Sequence, residues 1–444
     1  MLTEELIKYD REHILHGMTV VGKTQGLVIE SANGIELIDT DGKKLMDLSS
    51  QLINVNLGHN RRDIIEAAKE QMDRLNYAAT LRGFSNLPSI ELALKLSTIT
   101  PKGLDRFMWA HTGADTIDSA FRIANMYWKA KGLRKYKIIS LFSSYHGTTR
   151  GVARATNLAR GVTEEMPPTP GHIHIPNYYC YRCPFGKDYP TCGVQCAKFL
   201  EYTIVNEGAD SVAAFIAEPE QGSIGFIAPP PEYWPMVREI CDKYNVLLID
   251  DEVMTGFTRT GKMFAIEHWD VVPDMMIMSK GIVNGYLPFG ALALTGDIFE
   301  TLSGNLLPIG STESGNPVCC AMAMKCIDVY VNERVSENAA RVGNIARERM
   351  EKEFLALPHV GTVDGLGLML AVEIVTDKES KGIPTPGLTD LIQKTGFKQG
   401  AVLRVIGNRL GYSPPCTITE EQSERGLDVL YSVLKELKPE DLKP

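Results

Sequence analysis

No apolar run in the 444 residues approaches the roughly 18 that a membrane-spanning helix needs. No Lys/Arg-rich block stands out either, and the net charge is −9. An acidic surface of that kind argues against nucleic acid or an anionic membrane as partner. The opening MLTEELIKYDREH carries charges of both signs and lacks the apolar core of a signal peptide. The expectation is a soluble, cytoplasmic protein. No internal repeat and no low-complexity segment interrupts the chain. A disulfide framework is absent too: nine cysteines are an odd number, and Cys319 and Cys320 are adjacent, which fits reduced thiols.

What remains is ordinary globular composition, 44% hydrophobic and 23% charged. The length exceeds the roughly 250–300 residues at which single cores stop growing, so two packed regions are expected. Gly/Pro punctuation marks loops at PPTPG (167–171), KGIPTPG (381–387) and the cysteine segment 180–196. Between them, short apolar runs alternate with helical patterns. RFMWA (106–110) precedes a helix with Ile117, Phe121, Ala124 and Trp128 on one face. YKIISLF, VAAFIAE, VLLID and MMIMS follow, separated by loops and helices. Fully apolar strands in strand–helix alternation predict an α/β fold with a mostly parallel sheet covered by helices. Past about residue 320 the pattern turns helix-rich, with one apolar strand, GLGLMLAVEIV. The expected division is a large domain over 56–320 and a smaller α+β domain from 321–444, which residues 1–55 join.

Ligands of such sheets sit at the carboxyl ends of the strands. There the runs finish in Glu218, in Asp250-Asp251-Glu252, in Lys280, and near Tyr145-His146-Gly147. Any one of these alone reads equally as a solvated strand end. Together, on one rim, they describe a site. A lysine held at a buried strand end loses its proton more readily and becomes a nucleophile towards a carbonyl. The alternative is a lysine whose stem lies on the strand while its ammonium stays in water. Asp251 either caps its loop or supplies a fixed negative charge to a ligand.

The run LLIDDEVMTGFTRTGK…MSKGIVNGYLPFGA resembles the signature of the class III, fold-type I pyridoxal-phosphate aminotransferases. The likeness extends through VNLGHNRRDIIEAAKEQ, TGAD (112–115), SYHGTTRG, IAEPEQG, STESGNP and GLGLMLAVEIV. It implies pyridoxal 5′-phosphate as cofactor and a seven-stranded-type sheet. Lys280 would hold the cofactor covalently and move the proton between Cα and C4′, while Asp251 would pair with the ring nitrogen. Val253 and Tyr145 would flank the ring, with His146 beside Tyr145. Gly113 and Ala114 would offer backbone N–H groups to the phosphate. Glu218 would be an active-site carboxylate able to pair with an arginine. Thr312 would reach the phosphate of a partner subunit, implying a homodimer and leaving a tetramer open. Three positions depart from the family pattern: Ala114 stands where serine is usual, Asp115 where glutamate is usual, and Met254 where glutamine is common. A phosphate contact and a contact near the ring hydroxyl are therefore expected to be missing.

GAVLRVIGNRLGYSPPCTI carries the substrate information. Arg404 matches the mobile, carboxylate-binding arginine of the ω-amino-acid and amine subgroup, with Arg409 as the competing candidate. The resemblance thus implies ping-pong transfer from a short ω-amino acid or amine, of the taurine, β-alanine or 4-aminobutyrate type, to pyruvate or 2-oxoglutarate. A racemase or aminomutase on the same fold uses the same motifs. Cys180, Cys183, Cys192 and Cys196 form C-x2-C-x8-C-x3-C, which suits either a tetrahedral metal or an ordinary tight turn with reduced thiols.

Overall fold

The strands Val212–Ala217, Leu247–Asp251 and Met275–Met278 are buried at every position, which requires cover on both faces. The computed structural model provides it; it describes residues 2–23, 26–158, 169–385 and 387–443. Pro167 and Pro168 of the first expected loop and Pro386 of the second lie outside those residues. Seven strands form the large sheet, in the order Leu104–Ala110, Gly290–Thr295, Met275–Met278, Leu247–Asp251, Val212–Ala217, Lys137–Leu141, His172–Ile175. All neighbouring pairs are parallel except those made by Gly290–Thr295, which runs against both its neighbours.

Alternation along the Asp251 strand sets its chemistry. Leu247 and Ile249 pack with Ile117, Phe121 and Ala124 of the helix Gly113–Ala130, while Leu248 joins the core on the other side. Asp251, two residues beyond Ile249, falls on the face of that helix, and Asp250 falls on the opposite one. All four residues expected on the inner face of the helix are buried. The helix starts where Thr112 caps it, accepting the Asp115 N–H at 3.2 Å.

Both ends of the chain build smaller sheets. Ile29–Asn33, Glu36–Asp39 and Lys44–Asp47 pair in sequence, and Ala401–Val402 adds a parallel strand, with Ala401 opposite Met46. A second sheet runs Val360–Leu366, Met369–Ile374, Arg409–Tyr412, Arg404–Ile406. One helix, Pro317–Asn332, runs through position 320. The helical pattern expected over 337–357 is an α-helix, Val335–Arg349, continued by a π-helical turn, Met350–Phe354. Among the described residues, no helix is long and apolar enough to cross a membrane.

Candidate active site

Lys280 follows directly on a buried strand. Ser279 ties the strand end to its neighbour by donating to the Phe289 carbonyl at 2.8 Å. Lys280 itself sits at φ +49°, an uncommon backbone for a residue with a Cβ, which persists where the surroundings dictate it. Burial pushes its amine down to about 8, and the positive charge of Arg404 pushes the same way. Asp251 and Glu218 oppose the shift, and Arg259 adds to it. The charged groups that Lys280 experiences are thus drawn from four separate segments.

Asp251 is 2% exposed and held at both oxygens. His146 Nδ1 lies 2.6 Å from Oδ2, and the Val253 N–H donates to Oδ1 at 3.1 Å. The imidazole is buried, with Nε2 lacking a protein partner. Glu218 accepts from the Tyr145 N–H (3.2 Å), the Ser223 hydroxyl (3.0 Å) and the Gly222 N–H (2.9 Å). Burial raises its pKa, with His146 opposing and Asp251 reinforcing the rise. No arginine is among its hydrogen-bond partners in the described residues, so Tyr145 is positioned by Glu218 through its backbone.

The other two acids of the DDE run behave differently. Asp250 is buried with neither oxygen hydrogen-bonded, and burial together with Glu252 and Asp251 drives its pKa well up. Glu252 accepts from Thr255 Oγ1 and from the Ile266 N–H (2.9 Å), and burial pushes its carboxyl up to about 8. Only Asp251 faces the helix Gly113–Ala130, which decides among three adjacent carboxylates by strand alternation.

The start of that helix closes the group. A Cβ on Gly113 would meet Val253 Cγ2 at 2.9 Å, and one on Gly147 (φ +115°) would meet the Ala114 Cβ at 2.6 Å. Gly113, Ala114, Val253 and the Tyr145-His146-Gly147 loop therefore touch. The first-turn N–H groups of a helix have no helical acceptor, and the dipole favours an anion beside them.

The two arginines separate cleanly. Arg409 is 2% exposed and fully engaged: it donates to Gly225 O (2.6 Å), Phe226 O (3.3 Å), Glu373 (3.1 Å) and Tyr179. Glu373 is shared with Arg182 and Tyr179. The competing candidate is thus a structural cation, because buried charge demands a full set of partners. Arg404 is half-buried, its Nε has no hydrogen-bond partner, burial lowers its pKa, and no carboxylate pairs with it among the described residues.

Thr312 is exposed, and its carbonyl accepts the Tyr77 hydroxyl at 2.8 Å. No hydrogen bond among the described residues joins it to the Lys280 group. Arg259 was missed from sequence. Fully buried, it donates to the carbonyls of Leu368 (3.1 Å) and Pro414, to Ser50 Oγ (3.0 Å) and to Asn56 Oδ1 (2.7 Å), with no carboxylate partner among the described residues. Its signal was an arginine eight residues after Asp251 in the glycine-framed TGFTRTG. The four clustered cysteines are free thiols, and no set of three metal-ligating groups stands ready to hold an ion among the described residues.

The family model for class-III aminotransferases matches residues 19–434. The chain is 35% identical to adenosylmethionine-8-amino-7-oxononanoate aminotransferase of Geobacter sulfurreducens, over 96% of this chain and 97% of that one. It is 32% identical to putrescine–pyruvate aminotransferase of Pseudomonas aeruginosa, over 95% and 93%. Among solved structures, an (S)-enantioselective omega-transaminase from Thermomicrobium roseum superposes with a TM-score of 0.93 at 36% identity, covering 98% of each chain. With this fold and these relatives, the chain belongs to the class-III aminotransferases, enzymes that depend on pyridoxal 5′-phosphate.

Proposed function

We propose that this aminotransferase moves the terminal amino group of a short ω-amino acid or amine to pyruvate or 2-oxoglutarate in two half-reactions at one site. The carrying observation is Arg404, a half-buried cation without a carboxylate partner among the described residues, within electrostatic reach of Lys280. A guanidinium left without an anion inside a protein suits a substrate carboxylate or sulfonate.

The residues fit pyridoxal 5′-phosphate. A buried acid held at both oxygens suits a protonated ring nitrogen, a helix start lined by Gly113 and Ala114 suits a phosphate, and an amine lowered to about 8 suits an aldehyde. When bound, the cofactor supplies an electron sink for the bond broken at the donor carbon. Asp251, locked by His146 and Val253, keeps negative charge at the ring nitrogen. Lys280 takes and returns the proton at the donor carbon, which a group with pKa near 8 does well at neutral pH. Val253 and Tyr145 would flank the ring. Glu218 orients Tyr145 and offers a carboxylate that Arg404 can approach when no acidic substrate is present. Thr312, exposed on its own chain, would reach the phosphate of a second subunit in a homodimer.

Taurine, β-alanine and 4-aminobutyrate are the donors proposed, in that order. The test is a set of single half-reactions with the cofactor-loaded protein, using these three, a diamine and an α-amino acid. A terminal-amine donor should bleach the visible cofactor band and release its aldehyde. Bleaching by α-amino acids alone removes the reading, and inversion of the donor without net transfer assigns a racemase instead.

A further inference from the structure

The segment Cys180–Cys196 lies apart from this chemistry and has its own organisation. It contains one short 3-10 turn, Cys180–Arg182, and otherwise irregular chain until the helix Gln195–Glu207 begins. Its internal backbone bonds are few: the Gly186 N–H to Cys183 O (3.0 Å), the Cys192 N–H to Asp188 O (2.9 Å) and the Gly193 N–H to Pro190 O (3.1 Å). So short an irregular excursion has little core of its own to hold its shape.

All four cysteines line one small cavity of about 20 Å³, together with Tyr189 and Phe185. That volume is of the order of a single water-sized guest. The sulfurs also lie within electrostatic reach of one another, Cys180 with Cys183 and Cys192, and Cys196 with Cys180 and Cys192. Cys196 is the second residue of its helix, and the backbone N–H groups of Ala197 and of Cys196 itself act on its sulfur. Lys187 lines the same cavity, and Lys198 Nζ lies 3.1 Å from where a Gly193 Cβ would stand. No carboxylate lines it. Four thiols on one small cavity, helix-start N–H groups on one sulfur and two lysines nearby favour a compact, negatively charged centre.

We propose that Cys180, Cys183, Cys192 and Cys196 bind one zinc ion as a tetrahedral four-thiolate structural site. Zinc fits because it is redox-silent, prefers four soft ligands and needs no open position. In this structure the four sulfurs do not form a coordinating set, so loading requires them to converge on the cavity they share. Loading breaks four S–H bonds, sends four protons to solvent and forms four Zn–S bonds. The centre then carries two negative charges, with Lys187 on the same cavity and Lys198 beside Gly193.

The site would staple the segment rather than take part in transfer. Just before it, the Tyr178 hydroxyl donates to the Glu218 carbonyl at 2.8 Å, and Tyr179 and Arg182 both reach Glu373. The expected consequence of losing the metal is lower thermal stability, with the preference among amino donors unchanged.

The test is metal analysis of the cofactor-loaded protein purified without chelator, beside Cys183→Ser and Cys192→Ser. About one equivalent of zinc per chain, with sulfur-only coordination near ~2.3 Å by X-ray absorption, supports the proposal. Loss of that zinc in both variants supports it further, as does zinc-dependent protection of the four thiols from alkylation in the unmutated protein. Zinc below about a tenth of an equivalent after growth with added zinc, zinc retained by both variants, or disulfides among these four residues by mass spectrometry would overturn it. The wild-type measurements stand even if a variant fails to fold.

Discussion

Arg404→Gln tests the substrate assignment most sharply, because removing Arg404 strands no carboxylate among the described residues. A hydrogen-bonded charge pair contributes about 1.5–3 kcal/mol, so losing it should lower kcat/KM for pyruvate or 2-oxoglutarate by roughly 10- to 150-fold. A carboxylate-free amine donor should keep its kcat/KM within about threefold, since it makes no use of the guanidinium. The same substitution should act on Lys280. Arg404 is one of the charges that disfavour the ammonium, after burial, so removing it should raise the amine above about 8. At pH 7 a group with pKa 8 is about a tenth unprotonated, against about four parts in ten thousand at the ordinary 10.4. The rate at which cofactor-free protein takes up pyridoxal 5′-phosphate should therefore rise through pH 8 in the wild type, with the midpoint at higher pH in the variant. Steady-state kinetics on the two substrate types and the uptake profile are the assays. An equal loss for both substrate types, or an unmoved midpoint together with an unchanged keto-acid KM, would refute the reasoning.

Three further outcomes follow from the geometry. Lys280→Ala should bind cofactor that borohydride no longer fixes to the protein, and turnover should fall at least about 10²–10⁴-fold; normal turnover would remove the proposed role. Arg409→Gln should destabilise by roughly 3–5 kcal/mol in denaturant unfolding, because Glu373 is left buried with less counter-charge, while substrate preference holds; a selective keto-acid defect would return the substrate role to Arg409. Glu252, held at about 8 by burial against an unfolded value near 4.5, keeps its proton longer when folded. Its contribution to stability is present below pH 4.5 and lost as pH rises to about 8, so Glu252→Gln should flatten that decline in pH-dependent unfolding; an unaltered slope would assign the decline elsewhere.

Much of the molecule was legible before folding. Apolar runs buried on both faces announced the parallel sheet, since a strand such as Val212–Ala217 has no polar side to show water. The rim residues Lys280, Asp251, Glu218, Tyr145 and His146 were visible as ionisable or aromatic groups at the ends of such runs. Where the pattern is local, a 2- or 3.6-residue period carries it, and the chain alone is enough.

What sequence could not decide was which of several chemically equivalent residues does the work. Asp250, Asp251 and Glu252 are adjacent carboxylates, and only the pleat of the strand turns one of them towards the helix at Gly113. Arg404 and Arg409 are five residues apart and equally charged; long-range contacts with Gly225, Phe226 and Glu373 consume the second and leave the first unpaired. Arg259 was passed over because its partners, Ser50, Asn56, Leu368 and Pro414, lie far from it along the chain. Residue type and local period are properties of the chain. Whether a charge has a partner depends on segments that meet only after folding, so that question was answered by tertiary structure.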